Sequence, residues 1–278
     1  MAKIFCASKV LDLSSPVVMG ILNLTPDSFF DGGRNSRSAD QLRHVEQMIR
    51  EGASIIDIGA VSTRPGAPEV TESEELQRLL PSLKAIAAEF PEIIISIDTF
   101  RCNVARAAVE YGAAIINDIY GGRYEQGMIE TVASLKVPYI IMHMKGTPSS
   151  MQVNPSYSDV VAEVNYFFEN RLSLCREKGV TQTILDPGFG FGKTVEQNFT
   201  LLSGLDTFKS PGVPILAGLS RKSMISKVLR ITPDEALNGT SVLNAIALLK
   251  GADILRVHDV KEAMEAVKLF NQLKNNLV

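Results

Sequence analysis

The chain has 278 residues, 45% apolar and 21% charged, with 28 Lys and Arg against 31 Asp and Glu for a net charge of −3. That suffices for a sizeable core in one large domain or two modest ones, and no basic run or tail points to nucleic acid or an anionic membrane. Cys6, Cys102 and Cys175 fall in no paired-thiol or Cys/His spacing, and no apolar run approaches the ~18 residues of a membrane span, so a cytoplasmic protein with reduced structural thiols is expected.

Along the chain, short apolar runs, Gly/polar loops and amphipathic stretches alternate. The runs Val17–Leu22, Ser54–Ile58, Ile93–Ile97, Ala113–Ile116, Tyr139–Met142, Thr183–Leu185, Pro214–Ala217 and Asp253–Val257 predict strands. Helices are predicted between them at Ala39–Glu51, Ser73–Glu89, Cys102–Glu110, Tyr124–Ser134, Ser158–Lys178, Val195–Ser203, Lys222–Leu249 (as two helices) and Val260–Lys274. Hydrophobicity that is continuous rather than alternating implies strands covered on both faces, as parallel sheets require. Gly52, Gly112, Gly179 and Gly251 each stand just past a helix and just before a strand, where a helix C-terminus favours glycine. Eight such units point to an α/β fold, a (β/α)₈ TIM barrel, with a doubly wound sheet as the alternative. With no linker dividing the chain, residues 16–278 are expected to form one domain, and Met1–Ser15 to plug or flank the barrel bottom.

Polar residues recur at or just beyond the predicted strand ends: Asn23, Thr63, Asp98, Asn117, His143, Asp186, Ser220 with Lys222, and Arg256 with His258. Any one of them alone reads as a cap or a turn former. In a barrel they converge on the C-terminal rim, where such folds do their chemistry. Asp98, Asn117, Asp186 and Lys222 suit a flat polar heterocycle with adjacent N–H donors and a carbonyl, because a buried carboxylate facing two N–H groups forms paired, charge-assisted bonds. Met142, Ile119 and Phe191 offer apolar faces for such a ring. Arg64, Arg256 and His258 form a cationic cluster suited to phosphate oxygens. Asn23 is a turn residue or an oxygen ligand for Mg²⁺, which needs few protein ligands when a diphosphate supplies the rest.

The stretch Ile184 to Lys193 carries a strand into a glycine-rich loop, but it fits neither the phosphate loop nor the dinucleotide fingerprint: Pro187 stands where the first needs glycine, and Gly188, Gly190 and Gly192 have the wrong spacing for the second. Gly218 to Ser223 sets a helix N-terminus at the barrel mouth, an anion site for a phosphate or a carboxylate. His143 reads as a structural hydrogen-bonder, His44 as a solvated face residue, and Asp57 as a residue bonded within a barrel layer.

Five segments together, Met19–Phe29, Ser62–Ala67, Asp186–Lys193, Ser220–Ser223 and Arg256–Asp259, closely resemble the dihydropteroate synthase family, in that family's order and over nearly the whole chain. The resemblance implies a transferase on a TIM barrel that condenses 6-hydroxymethyl-7,8-dihydropterin diphosphate with p-aminobenzoate in folate synthesis. It also implies that Asp98, Asn117, Met142, Asp186 and Lys222 bind the pterin, and that Thr63, Arg64, Arg256, Val257 and His258 contact the diphosphate side. Asp98, Asp186, Lys222 and Arg256 would carry catalysis, Asn23 would ligate Mg²⁺, and Pro65, Phe191 and Ser220 would form the p-aminobenzoate neighbourhood where sulfonamides compete. Loops Thr25–Ser36 and Ser62–Pro68 would close over the second substrate, and a homodimer would form through late barrel helices. Two departures from the family pattern stand out, Ala60-Val61 for Gly-Glu and Phe100-Arg101 for Ser-Lys or Tyr-Lys, and both bear on loop packing. A methyltetrahydrofolate:corrinoid methyltransferase and a non-enzymatic pterin-binding barrel are the rival readings.

Overall fold

The computed structural model describes residues 3–24, 34–61, 70–147, 150, 151 and 153–276, with backbone alone for 34–37. The chain opens with an antiparallel hairpin, β1 (Lys3–Cys6) and β2 (Lys9–Asp12). Strands and helices then alternate: β3 (Val17–Asn23), α1 (Arg34–Glu51), β4 (Ile55–Gly59), α2 (Glu72–Glu89), β5 (Ile94–Asp98), α3 (Cys102–Glu110), β6 (Ile115–Asp118) and α4 (Met128–Leu135). There follow β7 (Tyr139–Met142), α5 (Val160–Lys178), β8 (Thr183–Asp186), α6 (Val195–Ser203), β9 (Leu216–Ala217), α7 (Ser223–Leu229), α8 (Leu237–Leu249), β10 (Ile254–Val257) and α9 (Val260–Asn275).

Strands β3 to β10 form one parallel eight-stranded sheet in the order β8-β7-β6-β5-β4-β3-β10-β9. A bridge between Leu185 and Ile215, with Leu185 N–H donating to the Pro214 carbonyl at 2.9 Å, joins its two ends into a (β/α)₈ barrel. Side chains alternate between two compartments, as a pleated strand requires. Ile56, Ile58, Ile95, Ile97, Ile116, Ile141, Leu185 and Leu255 face outward into the core shared with the helices. Met19, Ile55, Ile94, Ile115, Ile140, Ile184, Leu216 and Ile254 face inward and fill the lower barrel. Ile4, Cys6, Leu11 and Leu13 of the N-terminal hairpin belong to that same inner cluster, so the hairpin closes the barrel bottom and leaves the other end as the open rim.

The helix ends follow the expected chemistry. Thr71 and Glu74 form a capping box at the start of α2, Thr194 and Gln197 one at the start of α6, and Gly179 ends α5 at φ 87°. The segment expected to plug or flank the barrel bottom is a β-hairpin. The structure differs from the sequence expectation in three places. Helix α1 begins at Arg34, inside the stretch read as loop up to Ser36, and α4 begins at Met128 because residues 124–127 form turns. His44 is half-buried rather than solvated, and that burial lowers its pKa.

Candidate functional site

Five strand ends bring the predicted polar residues to one rim. Asp98, Asn117, Ile119, Met142, Asp186, Gly188, Phe189, Phe191, Gly218, Lys222 and Arg256 line one pocket. The inward parity of Asp98, Asn117, Asp186 and Arg256 sets them directly above the inner apolar cluster, on rigid strand ends rather than on long loops.

Arg256 organises the floor. Its Nε donates to Asp57 Oδ2 at 2.7 Å and its Nη2 to Asp98 Oδ2 at 3.2 Å. Asn117 Nδ2 donates to the same Asp57 oxygen at 3.1 Å, so one buried carboxylate orients both a cation and an amide of the pocket. Asp57 is wholly buried, and its Oδ1 has no partner among the described residues. Asp57 is bonded within a barrel layer as the sequence predicts, but its partners Arg256 and Asn117 are not legible there. The only sequence signal was a carboxylate inside an otherwise apolar strand.

Burial dominates the titration of the pocket. It pushes Asp98 up to about 7, against the pull of Arg256 and with repulsion from Asp57. Burial also raises Asp186, opposed by the Gly188 N–H that donates to Asp186 Oδ1 at 2.7 Å and by Lys222 and Arg256. Lys222 is pushed down to about 8 by burial and then by Arg256, and its ammonium stands 4.3 Å over the Phe191 ring. Carboxylates and cations whose pKa values converge in one cleft mark a functional site.

The rims of β9 and β10 are tied together. Ser220 Oγ accepts the His258 main-chain N–H at 3.2 Å and shares a hydrogen bond with the ring Nδ1 at 3.0 Å. Burial, then Arg256, pushes His258 down to about 4, so the ring is neutral at pH 7 and the expected cationic cluster loses one of its charges. Arg221, held at φ 54°, bonds Asp259 through two nitrogens, at 2.9 and 2.8 Å, and fixes the same two loops from behind. Val257 is buried in the outer core, so only its main chain faces the rim.

His143 is the structural hydrogen-bonder expected, but through its main chain: its N–H donates to the Asp186 carbonyl at 2.9 Å and its carbonyl accepts from Lys193 at 3.3 Å, while its Nδ1 has no partner among the described residues. The departure at Phe100-Arg101 has a local explanation. Arg101 pairs with buried Glu75 and donates to the Val70 carbonyl at 2.5 Å, while Phe100 packs on Tyr120 and Tyr124 with centroids 5.0 and 4.4 Å away.

Asn23 ends β3, and its Oδ1 and Asp98 Oδ2 both lie 3.8 Å from where a Cβ on Gly59 would stand. The absent side chain leaves a gap flanked by hard oxygens. No group of three His, Cys, Asp or Glu suited to a metal occurs among the described residues. That donor set fits an ion that takes one protein ligand and finds the rest on water and substrate. Thr63, Arg64 and Pro65 lie outside the described residues, as do most of the two loops expected to close.

Residues 19–258 match the sequence profile of a family described as pterin binding enzyme. The chain is 48% identical over 269 residues to the dihydropteroate synthase of Escherichia coli, covering 96% of this chain and 95% of that one. The structure is similar to a Yersinia pestis dihydropteroate synthase in a sulfonamide drug complex, with TM-score 0.92, 41% identity and coverage of 98% and 99% of the two chains. It is also similar to the Xanthomonas albilineans enzyme in complex with 7,8-dihydropteroate, with TM-score 0.88, 37% identity and coverage of 98% of each.

Proposed function

The chain belongs to the dihydropteroate synthases within the pterin-binding enzymes, and from that premise we propose how its residues share the work of joining 6-hydroxymethyl-7,8-dihydropterin diphosphate to p-aminobenzoate. The observation that carries the assignment is the pocket of two carboxylates, an amide, a lysine and an arginine set above the inner apolar cluster. Asp186 accepts the paired N–H groups of the pterin ring, Asp98 and Asn117 meet its other edge, and Lys222 donates to its carbonyl. Met142 and Ile119 pack against the ring faces.

Loss of diphosphate leaves positive charge at the pterin methylene, which the electron-rich ring delocalises. Asp98 and Asp186 stabilise that ring cation. The N–H groups that Arg256 does not spend on Asp57 and Asp98 bind the departing oxygens beside the His258 ring, and the match to the family motif gives Thr63 and Arg64 the same role. Asn23 would hold Mg²⁺, which when bound supplies charge neutralisation to the diphosphate. The aniline nitrogen of p-aminobenzoate then needs position more than a strong base, in a dissociative, SN1-like substitution. Ser220 and Phe191 form its neighbourhood, to which the match to the family motif adds Pro65, and where sulfonamides compete.

Two coarser features complete the reading. Among the described residues no helix is long and apolar enough to cross a membrane, and the three cysteines are free and buried, in keeping with a cytoplasmic enzyme. Val242, Ile246 and Leu249 recur on one face of α8 and are 51%, 37% and 62% exposed, beside Val228 and Leu229 of α7 at 55% and 51%. Such an apolar face supports a homodimer through these helices. Incubation with both substrates and Mg²⁺ tests the function: diphosphate appears only when p-aminobenzoate is consumed. Pterin binding with no diphosphate formed would leave a binding protein instead.

A further inference from the structure

Lys193 closes the loop after β8, and the roles assigned above make no use of it. It is only 3% exposed, yet it carries an ammonium. That ammonium donates to three main-chain carbonyls: Gly188 at 2.9 Å, Phe191 at 3.1 Å and His143, at the end of β7, at 3.3 Å. Three bonds saturate a lysine. Carbonyls solvate the charge but do not neutralise it, and isolated buried cations are costly.

What the clamp holds is the pterin wall. The loop Pro187–Gly192 lies pressed on the backbone beyond β7. A Cβ on Gly188 would stand 2.0 Å from the His143 carbonyl oxygen, and one on Gly192 would stand 2.2 Å from that of Lys145. The Gly188 N–H within this loop donates to Asp186 Oδ1, and Phe191, whose carbonyl Lys193 grips, presents its ring to Lys222. Asn198 and Tyr157 pin the loop from the outside, through Gly190 N–H at 2.7 Å and the Gly192 carbonyl at 2.8 Å.

We infer that Lys193 is a positioning residue of the pterin site: its ammonium clamps the loop after β8 onto the end of β7 and stands behind Asp186 as a counter-charge. The inference rests on the assignment of Asp186 to the pterin ring. The charged groups around the pair come from four other elements. Lys222 lies beyond β9 and faces Asp98 as well, Arg256 is on β10, Arg123 follows β6, and neutral His143 ends β7. Among them Asp186 is the acid that favours the charged form of Lys193, while burial, Lys222 and Arg123 bring the ammonium down to about 7. In return Lys193, with Lys222 and Arg256, opposes the burial that raises Asp186.

The test is calorimetric titration with 6-hydroxymethylpterin between pH 5 and 9, on the unsubstituted protein, Lys193→Gln, Lys193→Met and Asp186→Asn. Gln keeps amide donors without charge, and Met removes both. Losing the counter-charge raises Asp186, so the acid limb of binding in Lys193→Gln moves up by about one pH unit, with affinity below the limb about tenfold weaker. Lys193→Met loses more. A Lys193→Gln protein with unchanged limb and affinity reduces Lys193 to a strut and overturns the inference. Failure of the unsubstituted protein to bind, or wild-type affinity in Asp186→Asn, overturns the pterin assignment and this inference with it. Should neither Lys193 variant fold, the ¹⁵N resonance of the Lys193 ammonium in the unsubstituted protein decides: the pterin shifts it, and a resonance indifferent to the ligand sinks the idea.

Discussion

Asp57 does not line the pocket, yet two side chains that do are aimed by it. Its Oδ2 receives both Arg256 and Asn117, and with its carboxylate replaced by an amide Arg256 loses its shorter ion pair and keeps the one with Asp98. Breaking a buried charged hydrogen bond costs about 1.5–3 kcal/mol, so Asp57→Asn should lower kcat/KM by about a hundredfold, as steady-state assay would show. Asp98 gives a second residue-level expectation. As pH falls through about 7, Asp98 takes up a proton and offers the ring a hydroxyl donor in place of an acceptor, so kcat/KM should drop on the acid side with a limb near pH 7. A profile flat down to pH 5 would remove the ionised Asp98 from the chemistry. Linkage has the opposite sign. The folded chain binds this proton more tightly than the unfolded chain, whose aspartates titrate near 3.8, so this group's contribution to stability declines as pH rises from about 4 to 7. The enzyme works where its carboxylate costs stability.

At the scale of elements, the loops after β9 and β10 behave as one unit. Ser220 bonds the ring and main chain of His258, while Arg221 grips Asp259. Each substrate therefore feels a change made for the other. Ser220→Ala should weaken p-aminobenzoate most but also raise KM for the pterin diphosphate several-fold, because His258 loses the bonds that hold its ring and main chain. Measuring KM for each substrate separates the cases: loss confined to p-aminobenzoate would mean that His258 does not depend on Ser220. Sequence reading placed both loops at the rim from their positions after strands. It gave Ser220 and His258 to different substrates, since residues 38 apart show no sign of contact until the strands pair.

For the whole molecule, the barrel separates stability from function by height. The hairpin β1–β2 inserts Ile4, Cys6, Leu11 and Leu13 into the inner core at the bottom, and the chemistry sits at the opposite rim. Leu11→Ala should cost about 2–5 kcal/mol, read as a lower Tm, while both KM values stay at wild type. Changed KM values would mean that the two ends are coupled. The apolar face of α8 makes a separate prediction. Ile246→Glu places a charge on the proposed dimer interface and should give a monomer by sedimentation, whereas a wild-type sedimentation profile would put the subunit contact elsewhere.

By itself the sequence determined the eight-fold repeat of strand and helix, because doubly covered strands must be continuously apolar and helices must end where glycine accepts a left-handed turn. It also placed Asp98, Asn117, Asp186, Lys222 and Arg256 at strand ends, which in a barrel is enough to bring them together. Only the tertiary structure decided what those groups do to one another: the shared oxygen of Asp57, the neutral ring of His258, the buried ammonium of Lys193. Periodicity reports which side of a strand is wet, a property of neighbours along the chain. Charge states and hydrogen-bond partners depend on distances between strands far apart in sequence, and those are set when the sheet closes on itself.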